Sequence, residues 1–156
     1  MADTATAIEP MDRSEPKEER INRFIENCHQ AGLKITPQRL AIYKLLMDCT
    51  DHPSADWVYR KITVAWPTIS FDTVNRTLLT FAEIGVIDMV ESFSPSRRFD
   101  SQTEKHHHLH CVKCGQITDV RDSSLDNVPV PAHIDNGFTV TGTRVVISGI
   151  CAGCAR

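Results

Sequence analysis

His106-His107-His108-Leu109-His110-Cys111-Val112-Lys113-Cys114 sets four imidazoles against a Cys-x-x-Cys pair. A second pair, Cys151-Ala152-Gly153-Cys154, lies almost at the C-terminus. Two such hooks can close a tetrahedral thiolate site, because each turns two sulfurs towards one point and zinc accepts four. Cys111, Cys114, Cys151 and Cys154 are therefore assigned to a structural Zn2+. A redox dithiol of the thioredoxin kind opens a helix, whereas here Gly115 follows the first hook and strand-like runs flank both. The histidines are left for a second, exchangeable metal. His106 and His108 are alternate residues, so on a strand they share one face. Asp119 lies in the next strand-like run, Asp100 at a domain junction, and His52 at a helix start. Imidazole nitrogens with carboxylate oxygens suit Fe2+, Mn2+ or Zn2+. A regulatory site drawing on His52, Asp100, His106, His108 and Asp119 would tie two domains together. The competing reading of the imidazole run is a solvated surface patch, and of His52 alone an exposed loop residue before Pro53.

Composition narrows the classes. A chain of 156 residues suits one domain or two small ones. The net charge of −3 argues against a wholesale polyanion binder, but a local basic face can still hold nucleic acid. No apolar run approaches the roughly 20 residues that span a bilayer, and no charged-then-apolar leader opens the chain. Six cysteines, four of them in matched hooks, read as metal ligands rather than a secreted disulfide framework. Cys28 and Cys49 sit in helical apolar patterns and read as small buried thiols. The expected setting is a reducing cytoplasm, with no membrane partner.

Taken in order, residues 1–19 lack apolar periodicity and are expected to form a flexible tail. Ile21, Phe24, Ile25 and Cys28 then recur at helical spacing up to Gly32. Thr36 caps a second helix with Pro37 at its first position. Ser54 caps a third, with Trp57, Val58 and Ile62 turned inward, broken at Trp66-Pro67. Ser70 caps a fourth, with Val74, Leu78 and Phe81 or Ala82 inward and Gly85 as its stop. Apolar-alternating runs at residues 86–92 and 97–100, joined by Phe93-Ser94-Pro95-Ser96, predict a hairpin. Helices followed by a hairpin are the layout of a winged helix-turn-helix, assigned to residues 20–100. Residues 101–156 carry strand-like runs at 109–112, 116–120, 138–141 and 144–148. Pro129 and Pro131 exclude a long helix over residues 123–136. The fold class is α+β: an N-terminal winged helix-turn-helix domain followed by a small α/β domain with a four-cysteine zinc site.

The fourth helix is the element expected to read double-stranded DNA. Arg76 and Asn75 carry the side-chain types shaped for guanine and adenine edges, and Thr73 lies beside them. Lys34 and Arg39 could hold phosphate or reach a minor groove. A solvated helix face is the bland reading of such charges, and it is the helix-turn-helix layout that favours DNA.

These features together resemble the ferric uptake regulator family, from about Gly32 to Cys154. The residues that carry the likeness are Gly32-Leu33-Lys34-Ile35-Thr36-Pro37-Gln38-Arg39, His52-Pro53-Ser54-Ala55-Asp56, Asp72-Thr73-Val74-Asn75-Arg76-Thr77-Leu78, the His-x-His before Cys111-x-x-Cys114-Gly115, and Gly149-Ile150-Cys151-x-x-Cys154. The resemblance implies a homodimeric, metal-dependent repressor with a dimerising C-terminal domain. Within the family the chain looks most like the peroxide-sensing repressors. Their regulatory ligands fall by spacing on His52, Asp100, His106, His108 and Asp119, where iron sensors tend to carry Glu in place of Asp119. In peroxide sensors Fe2+ reacts with hydrogen peroxide and a ligand imidazole is oxidised, which here implicates His52 and His106. The chain departs from the family pattern at Asn75, where Tyr is usual. A further metal site of many iron sensors would fall on Lys105, His107, Asp126 and Thr143, two of which are unsuited to it.

An iron- or zinc-sensing regulator without peroxide chemistry is the alternative within the class. An enzyme is not expected, nor a small-molecule substrate. A zinc hydrolase needs an open coordination position and a general base. The thiolate site is full, and no Glu is spaced to serve. A zinc-stapled interaction module without DNA is a third class, and a steep salt slope of duplex binding would exclude it.

Overall fold

The computed structural model describes residues 10–92, 94–131, 134 and 137–156, and the chain divides into two units at Glu104 and Lys105. The first unit is built by four helices and a hairpin. Helix α1, Lys17–Gln30, buries Phe24 and Cys28 and ends before Gly32, whose φ of 71° only glycine adopts without cost. Helix α2, Pro37–Met47, starts where Thr36 accepts a hydrogen bond from the Arg39 N–H at 3.2 Å. Helix α3, Ala55–Ile62, is capped by Ser54, which accepts from the Trp57 N–H at 3.2 Å. It stops at Thr63 rather than at Trp66-Pro67, because the Thr63 hydroxyl turns back onto the carbonyls of Tyr59 and Arg60. Helix α4, Phe71–Glu83, is capped by Ser70 and buries Val74, Thr77, Leu78 and Phe81. Phe71, Asp72, Thr73 and Arg76 stay exposed.

The hairpin is shorter than its apolar alternation predicts. Strands β1, Asp88–Val90, and β2, Arg98–Asp100, pair antiparallel with Met89 opposite Phe99. Val86 and Ile87 are instead fully buried core residues, because the Val86 N–H still bonds the Phe81 carbonyl at the end of α4. Of the expected connector, Phe93 lies outside the described residues. Residues Pro53 and Ser54 extend the edge: the Phe99 N–H donates to the Pro53 carbonyl, and Ser54 bridges Arg98. The core centres on Phe24, which stacks on Tyr43 at 3.8 Å between ring centroids and meets Phe81 edge-on at 5.2 Å.

The expected tail does not extend to Glu19 among the described residues. Helix α1 begins at Lys17, and Met11 is fully buried in the same core as Phe24. The Met11 N–H donates to the Thr103 hydroxyl at 2.8 Å, and the Thr103 N–H donates to the Met11 carbonyl at 2.9 Å. One buried side chain and two hydrogen bonds with Thr103, one to its hydroxyl and one from its N–H, fix this stretch without any period to mark it in the sequence.

The second unit is a three-stranded sheet in the order β4-β3-β5. Strand β3, His107–Cys111, pairs antiparallel with β4, Ile117–Val120, and parallel with β5, Val146–Gly149. One turn of helix, α5, Ser123–Asp126, follows β4. That agrees with the bar that Pro129 and Pro131 set against a longer one; Ala132, His133, Asp135 and Asn136 lie outside the described residues. The strand expected at residues 138–141 does not form, and Phe138 is 68% exposed there.

Candidate metal centres

The two hooks meet at the ends of β3 and β5. The register sets Cys111 beside Gly149, which brings the turn carrying Cys151 and Cys154 to the turn carrying Cys114. The four thiol sulfurs lie within 4.8 Å of one another. Cys114 Sγ and Cys151 Sγ are 3.7 Å apart. A tetrahedral zinc with bonds near 2.3 Å has an S···S edge of roughly 3.8 Å, so the spacing fits the ion. The Cys151 N–H donates to Cys111 Sγ at 3.3 Å, and this bond is the leading cause that lowers the Cys111 thiol to about 6. Cys154 is pushed the other way, to about 12, first by its neighbour Cys151. Four thiols crowded together cannot all ionise without a cation among them.

The expected regulatory ligands fall into two sets, one in each unit. In the first unit, His52 Nε2 lies 3.1 Å from Asp100 Oδ2, and both side chains are fully buried. His52 is the one non-glycine with positive φ among the described residues, at 47°. Holding a side chain there costs roughly 1–2 kcal/mol. Its carbonyl accepts from Arg98 Nη1 at 3.2 Å, so β2 holds both partners.

In the second unit, β3 and β4 set His108 opposite Asp119. His106 and His108 present Nε2 to Asp119 Oδ1 at 3.5 and 3.6 Å, and the two rings meet edge-to-face at 4.7 Å. Neighbouring nitrogen and oxygen ligands of a first-row metal sit roughly 3.0–3.5 Å apart for bonds of 2.0–2.2 Å, so each set has a suitable spread and donor chemistry. His107 points elsewhere. Its Nδ1 accepts the Val145 N–H at 3.2 Å, so Nε2 carries the proton given to Asp126 Oδ1 at 3.0 Å. Lys105 Nζ donates to the Asp126 carbonyl at 2.6 Å. Two hydrogen bonds, one from the Lys105 ammonium and one from His107 on β3, thus hold the end of α5.

Of the residues expected at DNA, Thr73 is exposed, Asn75 half-buried, and Arg76 78% exposed on α4 with Asp72 at 3.8 Å. Lys34 is exposed, and Arg39 Nη1 donates to its carbonyl at 2.6 Å. The sequence reading missed Arg13 and Gln102, which both donate to Asp100 Oδ1. Neither sits in a motif, and only the folded chain brings Arg13 there.

Residues 30–148 match the model of the ferric uptake regulator family. The chain belongs to the ferric uptake regulator family. This Fur-family chain is 37% identical over 134 residues to the peroxide-responsive repressor PerR of Staphylococcus epidermidis, spanning 86% of this chain and 89% of that protein. Its fold is similar to that of PerR from Streptococcus pyogenes, whose structure is described as a basis for peroxide sensing and gene regulation. That likeness has a TM-score of 0.51 and 29% identity, over 86% of this chain and 92% of that one. The Helicobacter pylori ferric uptake regulator shares the fold with a TM-score of 0.72 at 21% identity, over 94% and 98% of the two chains. Fur-family regulators are dimeric DNA-binding repressors, and this chain is a metal-responsive repressor of the family. No helix among the described residues is long and apolar enough to cross a membrane.

Proposed function

We propose that the chain is a cytoplasmic, homodimeric repressor whose hold on operator DNA depends on a divalent metal and is released by peroxide. The observation that carries this is the pair of buried imidazole–carboxylate sets: His52 with Asp100, and His106 and His108 with Asp119. Together they form a five-residue ligand set without sulfur, suited to Fe2+ or Mn2+, while Cys111, Cys114, Cys151 and Cys154 hold a structural Zn2+. Drawing ligands from both units, the set couples metal occupancy to the separation of two recognition helices. Those helices must match half-sites about one helical turn apart. Metal thus favours the DNA-competent arrangement through differential affinity.

On α4, Thr73, Asn75 and Arg76 face the bases, with Lys34 and Arg39 at the backbone. Asn75 suits an adenine edge. The second copy docks on the sheet of the second unit. Leu109 and Ile147 are register partners, 40% and 44% exposed, beside Ile150 at 52%. Their exposure is the mark of a surface made to be covered.

A bound Fe2+ would activate hydrogen peroxide by one-electron exchange, and the two electrons that reduce the peroxide to water would come overall from a ligand imidazole. His52 and His106, as ligand imidazoles, are the groups that take up one oxygen atom while water leaves. An oxidised ring is a poorer donor, the site weakens and repression ends. Peptide mass mapping of anaerobic Fe2+ protein after peroxide treatment is expected to show one added oxygen on His52 or His106, with none in Mn2+ protein. Unmodified peptides in both samples would favour the alternative, an iron- or zinc-sensing repressor of the same architecture.

A further inference from the structure

Asp100 Oδ1 is held by two donors. Arg13 Nη2 donates to Oδ1 at 3.0 Å, and the Gln102 N–H donates to the same oxygen at 2.9 Å. Oδ2 lies 3.1 Å from His52 Nε2. One carboxylate oxygen is thus committed to fixed donors while the other faces an imidazole. The segment that delivers Arg13 is itself anchored. Met11 is buried, its N–H donates to the Thr103 hydroxyl at 2.8 Å, its sulfur accepts from Asn27 Nδ2 at 3.6 Å, and Arg23 Nη1 donates to the Pro10 carbonyl at 2.8 Å. Arg13 Nη2 also reaches the Cys49 carbonyl at 3.4 Å.

We propose that Arg13 is a positioning residue for the regulatory metal, fixing Asp100 as a one-oxygen ligand with Oδ2 turned to His52. The inference rests on the assignment of His52 and Asp100 to that metal. A carboxylate free to turn presents two equivalent oxygens, and binding must then halt the rotation. With Oδ1 tied by Arg13 and Gln102, folding has already halted it. The guanidinium charge opposes this effect by repelling a cation. Arg13 is 22% exposed and Asp100 fully buried. Arg13 lies on the Oδ1 side, so the carboxylate stands between its charge and a cation at Oδ2 and lengthens the distance over which the two repel. Orientation is the larger effect.

The test is an equilibrium titration with Mn2+ of zinc-loaded full-length protein, following free Mn2+ by electron paramagnetic resonance. Wild type is compared with Arg13→Gln and Arg13→Lys, and the unfolding temperature before Mn2+ addition reports whether each variant folds. Arg13→Gln is expected to weaken Mn2+ binding about 10–100-fold. Arg13→Lys is expected to recover part of the affinity, since an ammonium keeps a donor but not the planar fork. Equal or tighter binding by folded Arg13→Gln overturns the proposal. If Arg13→Gln fails to fold, Arg13→Lys decides: several-fold weakening supports the proposal, and wild-type affinity overturns it. A wild-type protein that takes up no Mn2+ overturns the regulatory-site assignment itself, and the inference with it.

Discussion

Cys114→Ser is expected to leave the second unit without zinc and unfolded, while the helical unit keeps its structure. Little else holds the second unit together. Among its described residues the buried apolar side chains are Cys111 and Ile117 alone. The first unit, by contrast, packs Phe24, Tyr43, Phe81, Phe99 and more than a dozen others into one core. A structural zinc contributes on the order of 10 kcal/mol of apparent binding free energy in small zinc domains. That matches or exceeds the roughly 5–15 kcal/mol by which whole domains are stable. Cys114 also lies 3.7 Å from Cys151, so its loss removes one of the contacts between the two hooks. Bound zinc measured by a colorimetric probe should fall to a small fraction of one per chain. Circular dichroism should keep the helical signal of α1 to α4. A zinc-free variant with a fully cooperative, wild-type unfolding transition would show that the sheet stands without the metal.

His106→Ala should do the opposite: keep zinc and fold, but lose the metal dependence of operator binding. His106 is 5% exposed and presents Nε2 to Asp119 Oδ1 at 3.5 Å, just before β3, whereas Cys111 closes the other end of that strand. Removing a residue that only supports a ligand costs metal affinity about 10–100-fold, so removing a ligand outright should cost at least 100-fold. The loss of buried ring volume adds a stability cost of about 2–4 kcal/mol, which a winged-helix unit with its own core does not share. The check is a Mn2+ titration beside an operator-binding titration on the same sample. A variant that still answers to Mn2+ with wild-type affinity removes His106 from the ligand set.

Local chemistry was the legible part of this chain. Thr36 with Pro37, Ser54 and Ser70 each announce a helix start, because a cap needs only its own next three residues. The thiolate hooks are equally local: each supplies two ligands within four residues, and two hooks close one site. His106, His108 and Asp119 could be grouped because β3 and β4 are a hairpin with side chains of period two. What stayed hidden depends on partners remote in sequence. Arg13 is 87 positions from Asp100, in a stretch without period or motif. Met11 is buried by a fold that its neighbours in sequence do not predict. Residues 138–141 alternate like a strand, yet pair with none of β3, β4 and β5. Val86 and Ile87 alternate like a strand as well, but the end of α4 claims them for the core.

The most direct test of the account is operator binding by zinc-loaded, anaerobically purified protein, followed by fluorescence anisotropy as Mn2+ is added back. The account predicts weak binding, steep in salt and indifferent to sequence, until Mn2+ arrives, and tight operator-specific binding once one Mn2+ per chain is taken up. Operator affinity that is the same with and without Mn2+ would contradict it.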